Sequence, residues 1–330
     1  MKKYLLMAVC IIMMSMTASA ISINKALLDH NGTVTLYDGL QEAINASSDG
    51  DVIYLTLGTF KGPFTVSKKI TIRGTGETSI IDGDVSISIP GAPKLTSPVL
   101  ESLTVSGTVT VNSEVNDMIL RKSKITSITI GANVDGAVLD RCYITNTLTL
   151  SSYIKGMTVV NTKIFYVKAN SGATQNTTFV NCNLFRLYVT NFSGTIINSI
   201  INASYNNSST LSPILSTVLL NTLIYSYGTY VSIGTSSVAQ NCYNQNNGVY
   251  YQANNSTNEG LINYYTCECS FTTSQLQSNG YLGTDGTVVG IYGGDTPYTL
   301  EPSVPKVTSS SLDLDMEKKE LNVKLTVSPQ

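Results

Sequence analysis

Eight short segments of this chain are variants of one segment, and their spacing dictates how it can fold. They are marked by the dipeptides Glu101-Ser102, Arg121-Lys122, Arg141-Cys142, Asn161-Thr162, Asn181-Cys182, Asn198-Ser199, Asn221-Thr222 and Asn241-Cys242. Successive starts differ by 20, 20, 20, 20, 17, 23 and 20 residues, so one short repeat is compensated by the next. Aliphatic residues flank the second position on both sides, as in Val160/Thr162/Ile164, Val180/Cys182/Leu184, Ile197/Ser199/Ile201 and Leu220/Thr222/Ile224. Residues two apart on a strand share a face, so each repeat carries a strand with an aliphatic, small, aliphatic inner row. A second strand recurs at Val109/Val111, Ile128/Ile130, Leu148/Leu150 and Leu187/Val189.

A unit this short cannot bury an apolar face alone and must stack on its neighbours. The spacing predicts an all-β chain, a single-stranded right-handed parallel β-helix with about 20 residues per coil. A propeller blade needs about 40 residues, and a leucine-rich repeat needs a different leucine pattern. Ahead of the repeats, the segment 37–46 places Leu40, Ala43 and Ile44 on one helical face. It reads as a cap helix over the open end of the stack. At the other end, Leu312/Leu314/Met316 and Leu321/Val323/Leu325/Val327 alternate on either side of Glu317-Lys318-Lys319, a β-hairpin pattern. That hairpin reads as a second cap, with an attachment module as the alternative. The resulting division is a leader at 1–20, an N-terminal segment and helix at 21–49, the β-helix at 50–283, a closing segment at 284–306 and a hairpin at 307–330.

The run from the helix through Gly50-Asp51-Val52-Ile53-Tyr54-Leu55, Gly58-Thr59-Phe60 and Lys69-Ile70-Thr71-Ile72-Arg73-Gly74 resembles the entry segment of the pectin-lyase-like β-helix superfamily. Asp285-Gly286-Thr287 through Gly290-Ile291-Tyr292-Gly293-Gly294 is similar to the closing motif of secreted, hemagglutinin-like β-helix proteins of Gram-negative gut anaerobes. The resemblance implies the fold and an exported protein. It implies no reaction, because one fold hosts lyases, hydrolases, esterases and adhesins.

Export is also legible at the N-terminus. Lys2 and Lys3 precede an apolar stretch from Tyr4 to Met16, and Ala18-Ser19-Ala20 is a cleavage site of the small-x-small type. Cleavage after Ala20 would leave no membrane span and an odd number of cysteines: Cys142, Cys182, Cys242, Cys267 and Cys269. Cys142 and Cys182 share a column two coils apart, about 9–10 Å, too far for a disulfide. They read as buried fillers. A net charge of −2, with only 13% charged residues, argues against a nucleic-acid partner.

Catalysis by paired carboxylates finds no support in the central coils. There is no Asp or Glu between Arg141 and Asn258, and no charge between Leu187 and Asn258. The hydrolase motifs of the superfamily, and the Arg-x-Pro-x-x-Arg motif of its pectate lyases, are absent. The sole histidine, His30, lies before the helix. Asp49/Asp51 and Asp82/Asp84 flank glycines and read as turns. Such Asp-Gly-Asp carboxylates can also ligate calcium, for which Asp82 and Asp84 are the alternative site.

The candidate site is an outward patch. Tyr143 and Lys163 follow the small inner column on successive coils, joined there by Asn183, with Tyr166 and Arg186 three positions on and Lys168 and Tyr188 on the second strand. Tyrosine rings stack on sugar faces, and Lys or Arg pairs with acidic groups. The patch predicts a non-catalytic polysaccharide- or surface-glycan-binding protein. A lyase acting on an acidic glycan, with Lys or Tyr as base, and a structural stalk without a ligand are the alternatives. Stacked Asn161, Asn181, Asn198, Asn221 and Asn241 read as an amide ladder or a bend.

Overall fold

The computed structural model describes residues 24–90, 99–112, 115–151, 153–169, 174–189, 192–202, 217–225, 238–245, 255–257, 260–263, 265–299, 306–315 and 320–328. Its coils stack into a parallel β-solenoid with two long sheets. The first sheet begins with the antiparallel strands Thr33–Tyr37, Ala26–His30 and Val52–Leu55. It continues in parallel through Thr71–Arg73, Leu100–Glu101, Ile119–Arg121, Val138–Asp140, Thr158–Val160, Thr174–Val180, Phe192–Ile197, Thr217–Leu220 and Val238–Gln240. The second sheet stacks Gly58–Lys61, Ser79–Asp82, Thr104–Val111, Lys124–Ile130, Tyr143–Leu150 and Lys163–Ala169, then Asn183–Leu184, Ile200–Asn202, Leu223–Tyr225, Tyr243–Gln245 and Asn255–Thr257.

The core consists of columns running along the stack. Leu100, Leu120, Leu139, Val159, Phe179, Ile196 and Leu219 face it from the first sheet. Val105, Ile125, Ile144, Ile164, Leu184, Ile201 and Ile224 face it from the second. Each such side chain contributes about 1.5–3 kcal/mol when fully buried, and it is buried only because a neighbouring coil covers it.

The passage from the first sheet to the second turns on one left-handed residue in each coil. Ser102, Lys122, Arg141, Asn161, Asn181, Asn198, Asn221 and Asn241 all have φ between 47° and 55°. Asn tolerates this left-handed conformation better than most residues, which explains its recurrence. The alignment of the first two repeats is corrected by one position. Arg121 pairs with Asp140, and Asp140 with Val160, so Lys122, not Arg121, matches Arg141. An arginine in both coils hid a coil one residue shorter than its neighbours.

From the Lys122 corner onward, the next residue is small for a reason beyond packing. Thr162 Oγ1 donates to Val160 O at 2.8 Å, Ser199 Oγ to Ile197 O at 2.7 Å and Thr222 Oγ1 to Leu220 O at 2.8 Å. The same oxygens accept amides from the preceding coil: Cys142 N at Thr162 (3.2 Å) and Cys182 N at Ser199 (3.0 Å). The carbonyls also accept inter-coil amides from Arg141, Asn181 and Asn198, so it is the Cys142 and Cys182 amides that the hydroxyls supply with partners. The cysteines of this column are buried and unbridged, and burial pushes the Cys142 and Cys182 thiols up to about 12.

At the N-terminal end, helix α1 (Leu40–Ala46) buries Leu40, Ala43 and Ile44. The Gln41 side-chain amide meets Thr65 N and O at 2.9 and 3.3 Å, standing in for a neighbouring strand. Lys68 Nζ donates to the carbonyls of Ile44, Asn45 and Ser47 at the helix C-terminus. At the far end, residues 260–263 and 265–299 leave the stack and run back along its flank, with helix α2 (Thr273–Ser278) opened by a Thr272/Gln275 capping box. Beyond them, Lys306–Asp315 pairs antiparallel with Glu320–Ser328.

Candidate functional site

The returning segment builds the site. Tyr143, Lys163, Asn183, Ile200, Leu223 and Tyr243 form one outward column of the second sheet. The strap covers its later members: Ile200 and Leu223 are buried with Leu261, Ile262, Leu276, Val288, Val289 and Ile291 in a second apolar cluster. Asn183, expected on the surface, is instead buried, and its side-chain amide donates to Cys267 O at 2.6 Å. The corner asparagines hold the strap as well. Asn181 Nδ2 donates to Ile291 O and Gly293 O, and Asn221 Oδ1 accepts from Thr284 N at 2.9 Å. The Asn column thus serves as the expected bend, and Asn181 and Asn221 turn their amides to the strap.

Where the strap stops covering the column, it leaves a hollow of about 230 Å³ lined by Tyr143, Lys163, Ile164, Phe165, Phe185, Tyr265, Thr266 and Glu268. Tyr143 is 42% exposed and Tyr265 83% exposed. Lys163 Nζ lies 5.7 Å from the Tyr143 ring centroid and 2.9 Å from Glu268 Oε1. Phe165 and Phe185 occupy the same corner position on adjacent coils and stack at 4.7 Å with 13° between their planes.

The other candidate residues lie beside this hollow. Arg186 sits over three rings, its guanidinium carbon 4.7 Å from the centroid of Tyr166, 5.1 Å from Phe165 and 5.3 Å from Phe185. Lys168 is exposed, with Nζ 6.0 Å from the Tyr166 ring. The backbone of Tyr188 pairs with Lys168; its side chain lies outside the described residues, as do Tyr205, Tyr227, Tyr230, Tyr250 and Tyr251. In the second apolar cluster, burial pushes the Tyr298 hydroxyl well up, with Cys182 and Glu268 adding to it.

Sequence reasoning missed Phe165, Phe185, Tyr265 and Glu268. A signal was available for the covering segment: the outward column changes from Tyr143 and Lys163 to Ile200 and Leu223, which a solvated face would not need. Nothing in the sequence shows where the strap ends. Cys267-Glu268-Cys269 matters through its glutamate, while both thiols are free.

The N-terminal carboxylates engage protein donors. Asp82 accepts from Lys61 (2.5 Å) and Ser106 (2.9 Å), and the Lys61 and Ser106 hydrogen bonds hold its carboxyl below the usual range. Asp84 accepts the Thr108 amide at 2.7 Å, Asp49 the Lys69 amide at 2.9 Å and Asp51 the Ser48 amide at 2.7 Å. His30 Nδ1 is 2.8 Å from Asp51 Oδ1. The Asp51–Ser48 contact closes a local turn, whereas Asp49, Asp82 and Asp84 tie neighbouring coils together.

No protein-family model, curated protein or solved structure matches the chain. The geometry of the site is therefore the basis for a functional reading.

Proposed function

We propose that this chain is an exported, non-catalytic protein of the pectin-lyase-like β-helix type that binds a saccharide in the hollow between its second sheet and its C-terminal strap. The observation that carries this reading is the placement of the exposed Tyr143 and Tyr265 rings around a Lys163–Glu268 pair. Sugar rings present apolar C–H faces and a rim of hydroxyls. Aromatic side chains take the first, and an ammonium beside a carboxylate supplies donor and acceptor for the second. With the two charges paired, the hollow suits a neutral or singly charged sugar better than a polyanion.

Uronate elimination fits this arrangement less well. Lys163, the candidate base, is engaged by Glu268, and Arg186, the candidate neutralising group, is stacked among three rings. Export rests on the Lys2/Lys3, apolar and Ala18-Ser19-Ala20 sequence pattern, and Edman sequencing of secreted material should begin at Ile21. The binding reading is tested by incubating the protein with neutral and uronate polysaccharides, following both retention and ultraviolet absorbance. Retention of a glycan without a rise in absorbance is expected. Turnover abolished by Lys163→Ala would establish a lyase instead.

A further inference from the structure

The two sheets are finished differently at the N-terminal end of the solenoid. On the second sheet, Asn24 Nδ2 donates to Thr59 O at 2.6 Å, and Gln41 occupies the edge of Phe64–Val66. The first sheet ends in the strand Thr33–Tyr37, whose one neighbour among the described residues is Ala26–His30. Exposed edges are normally guarded by lysine, proline, a bulge or a covering segment. This strand reads Thr-Val-Thr-Leu-Tyr, with no charge and no proline. Val34 is 56% and Leu36 59% exposed.

The backbone makes this edge ready to pair. Asn31 and Gly32, both at positive φ, form a two-residue turn that sets His30 opposite Thr33. In such a hairpin the amides of Thr33, Thr35 and Tyr37 face Ala26–His30, and those of Val34 and Leu36 face the open side.

We propose that this edge is the interface with a second copy of the chain, paired antiparallel about a two-fold axis at Thr35. The strand is self-complementary in that register. Val34 stands opposite the partner's Leu36 and Leu36 opposite the partner's Val34, each pair exchanging two backbone hydrogen bonds. Thr35 stands opposite the partner's Thr35. The symmetric register supports a second copy as the occupant: the five residues Thr33–Tyr37 carry no charge, so the apolar Val34 and Leu36 and the central Thr35 meet their own kind without ionic repulsion within the paired rows. The union joins two first sheets into one continuous sheet and brings two apolar rows together, an isologous contact that closes at two subunits.

Sedimentation equilibrium of the purified protein over a wide concentration range tests the proposal. A reversible monomer–dimer equilibrium is expected, and Leu36→Lys should weaken it about tenfold or more by placing two ammonium groups in the paired rows. Thr35→Cys gives a second readout that does not depend on that variant folding. A non-hydrogen-bonded antiparallel pair brings its Cα atoms to about 4.5 Å, within disulfide range, so mild oxidation should yield a covalent dimer. A monomer at every concentration, a dimer indifferent to Leu36→Lys, or no Thr35→Cys cross-link would overturn the proposal. A monomer whose Val34 and Leu36 amides are protected from exchange would also overturn it, showing that a segment of the same chain covers the edge.

Discussion

Asn181 donates its side-chain amide to the carbonyl of Ile291 at 3.0 Å and to that of Gly293 at 2.7 Å, bridging more than one hundred residues of sequence. The residue that turns a coil also anchors the strap that shapes the hollow. Asn181→Gly keeps the left-handed backbone accessible and removes only the anchor. Ile291 O keeps the Tyr298 amide at 2.7 Å, so the loss falls on Gly293 O, and a buried carbonyl without a donor costs about 1–3 kcal/mol. Amide exchange across residues 281–299 should accelerate by a corresponding factor while the first-sheet strands stay protected. Equal acceleration throughout would mean that the strap and the coils unfold as one unit.

The small column permits a sharper test of the corner chemistry. Thr162→Val preserves shape but removes an oxygen that donates to Val160 O and accepts from Cys142 N. Val160 O keeps the Arg141 amide at 3.0 Å, but Cys142 N is left without an acceptor, and denaturant unfolding should show a loss of about 1–3 kcal/mol. Cys182→Ser places at one coil what Ser199 already is at the next, and should change stability by less than about 1 kcal/mol.

The fold was legible because strand periodicity repeats in register, and each coil reports the same geometry independently. The left-handed corner was legible for the same reason, though two arginines in adjacent coils shifted the alignment of Lys122. The site was legible only in part. Tyr143, Lys163, Tyr166, Lys168 and Arg186 follow from coil register, but Tyr265 and Glu268 reach the hollow on a segment that obeys no repeat. Contacts between Lys163 and Glu268, 105 residues apart, arise from how the strap packs on Ile200 and Leu223, and periodicity carries no record of it.

The buried thiols make stability fall on the alkaline side. Folding holds Cys142 and Cys182 neutral up to about 12 and Cys242 up to about 11, because burial disfavours their thiolates. In the unfolded chain they ionise near the ordinary value of 9.0. Their contribution is therefore complete below about pH 9 and is lost as the pH rises towards those folded values. Each thiol costs about 1.4 kcal/mol per pH unit within that window. Urea midpoints should drop steeply between about pH 9 and pH 11, and Cys142→Ser/Cys182→Ser should flatten the drop. An unchanged slope in that double variant would assign the alkaline loss to other groups.

Exposure of the same thiols reports opening of the core. Native protein should leave Cys142, Cys182 and Cys267 unmodified by iodoacetamide at neutral pH, because thiolate is the reactive form and these thiols are buried. Partly exposed Cys269 should react first. Early labelling of Cys182 would contradict the described register, since a one-residue slip reverses every side chain.

Saccharide binding in the hollow is the central claim, and a glycan array followed by titration of the strongest hit tests it most directly. Wild-type protein should retain a neutral or singly charged glycan. Tyr143→Ala and Tyr265→Ala should each weaken that binding about tenfold, or about 1.4 kcal/mol. Asp82→Asn, remote from the hollow, should leave it unchanged. An array without hits, or a hit bound equally well by both tyrosine variants, would contradict the account.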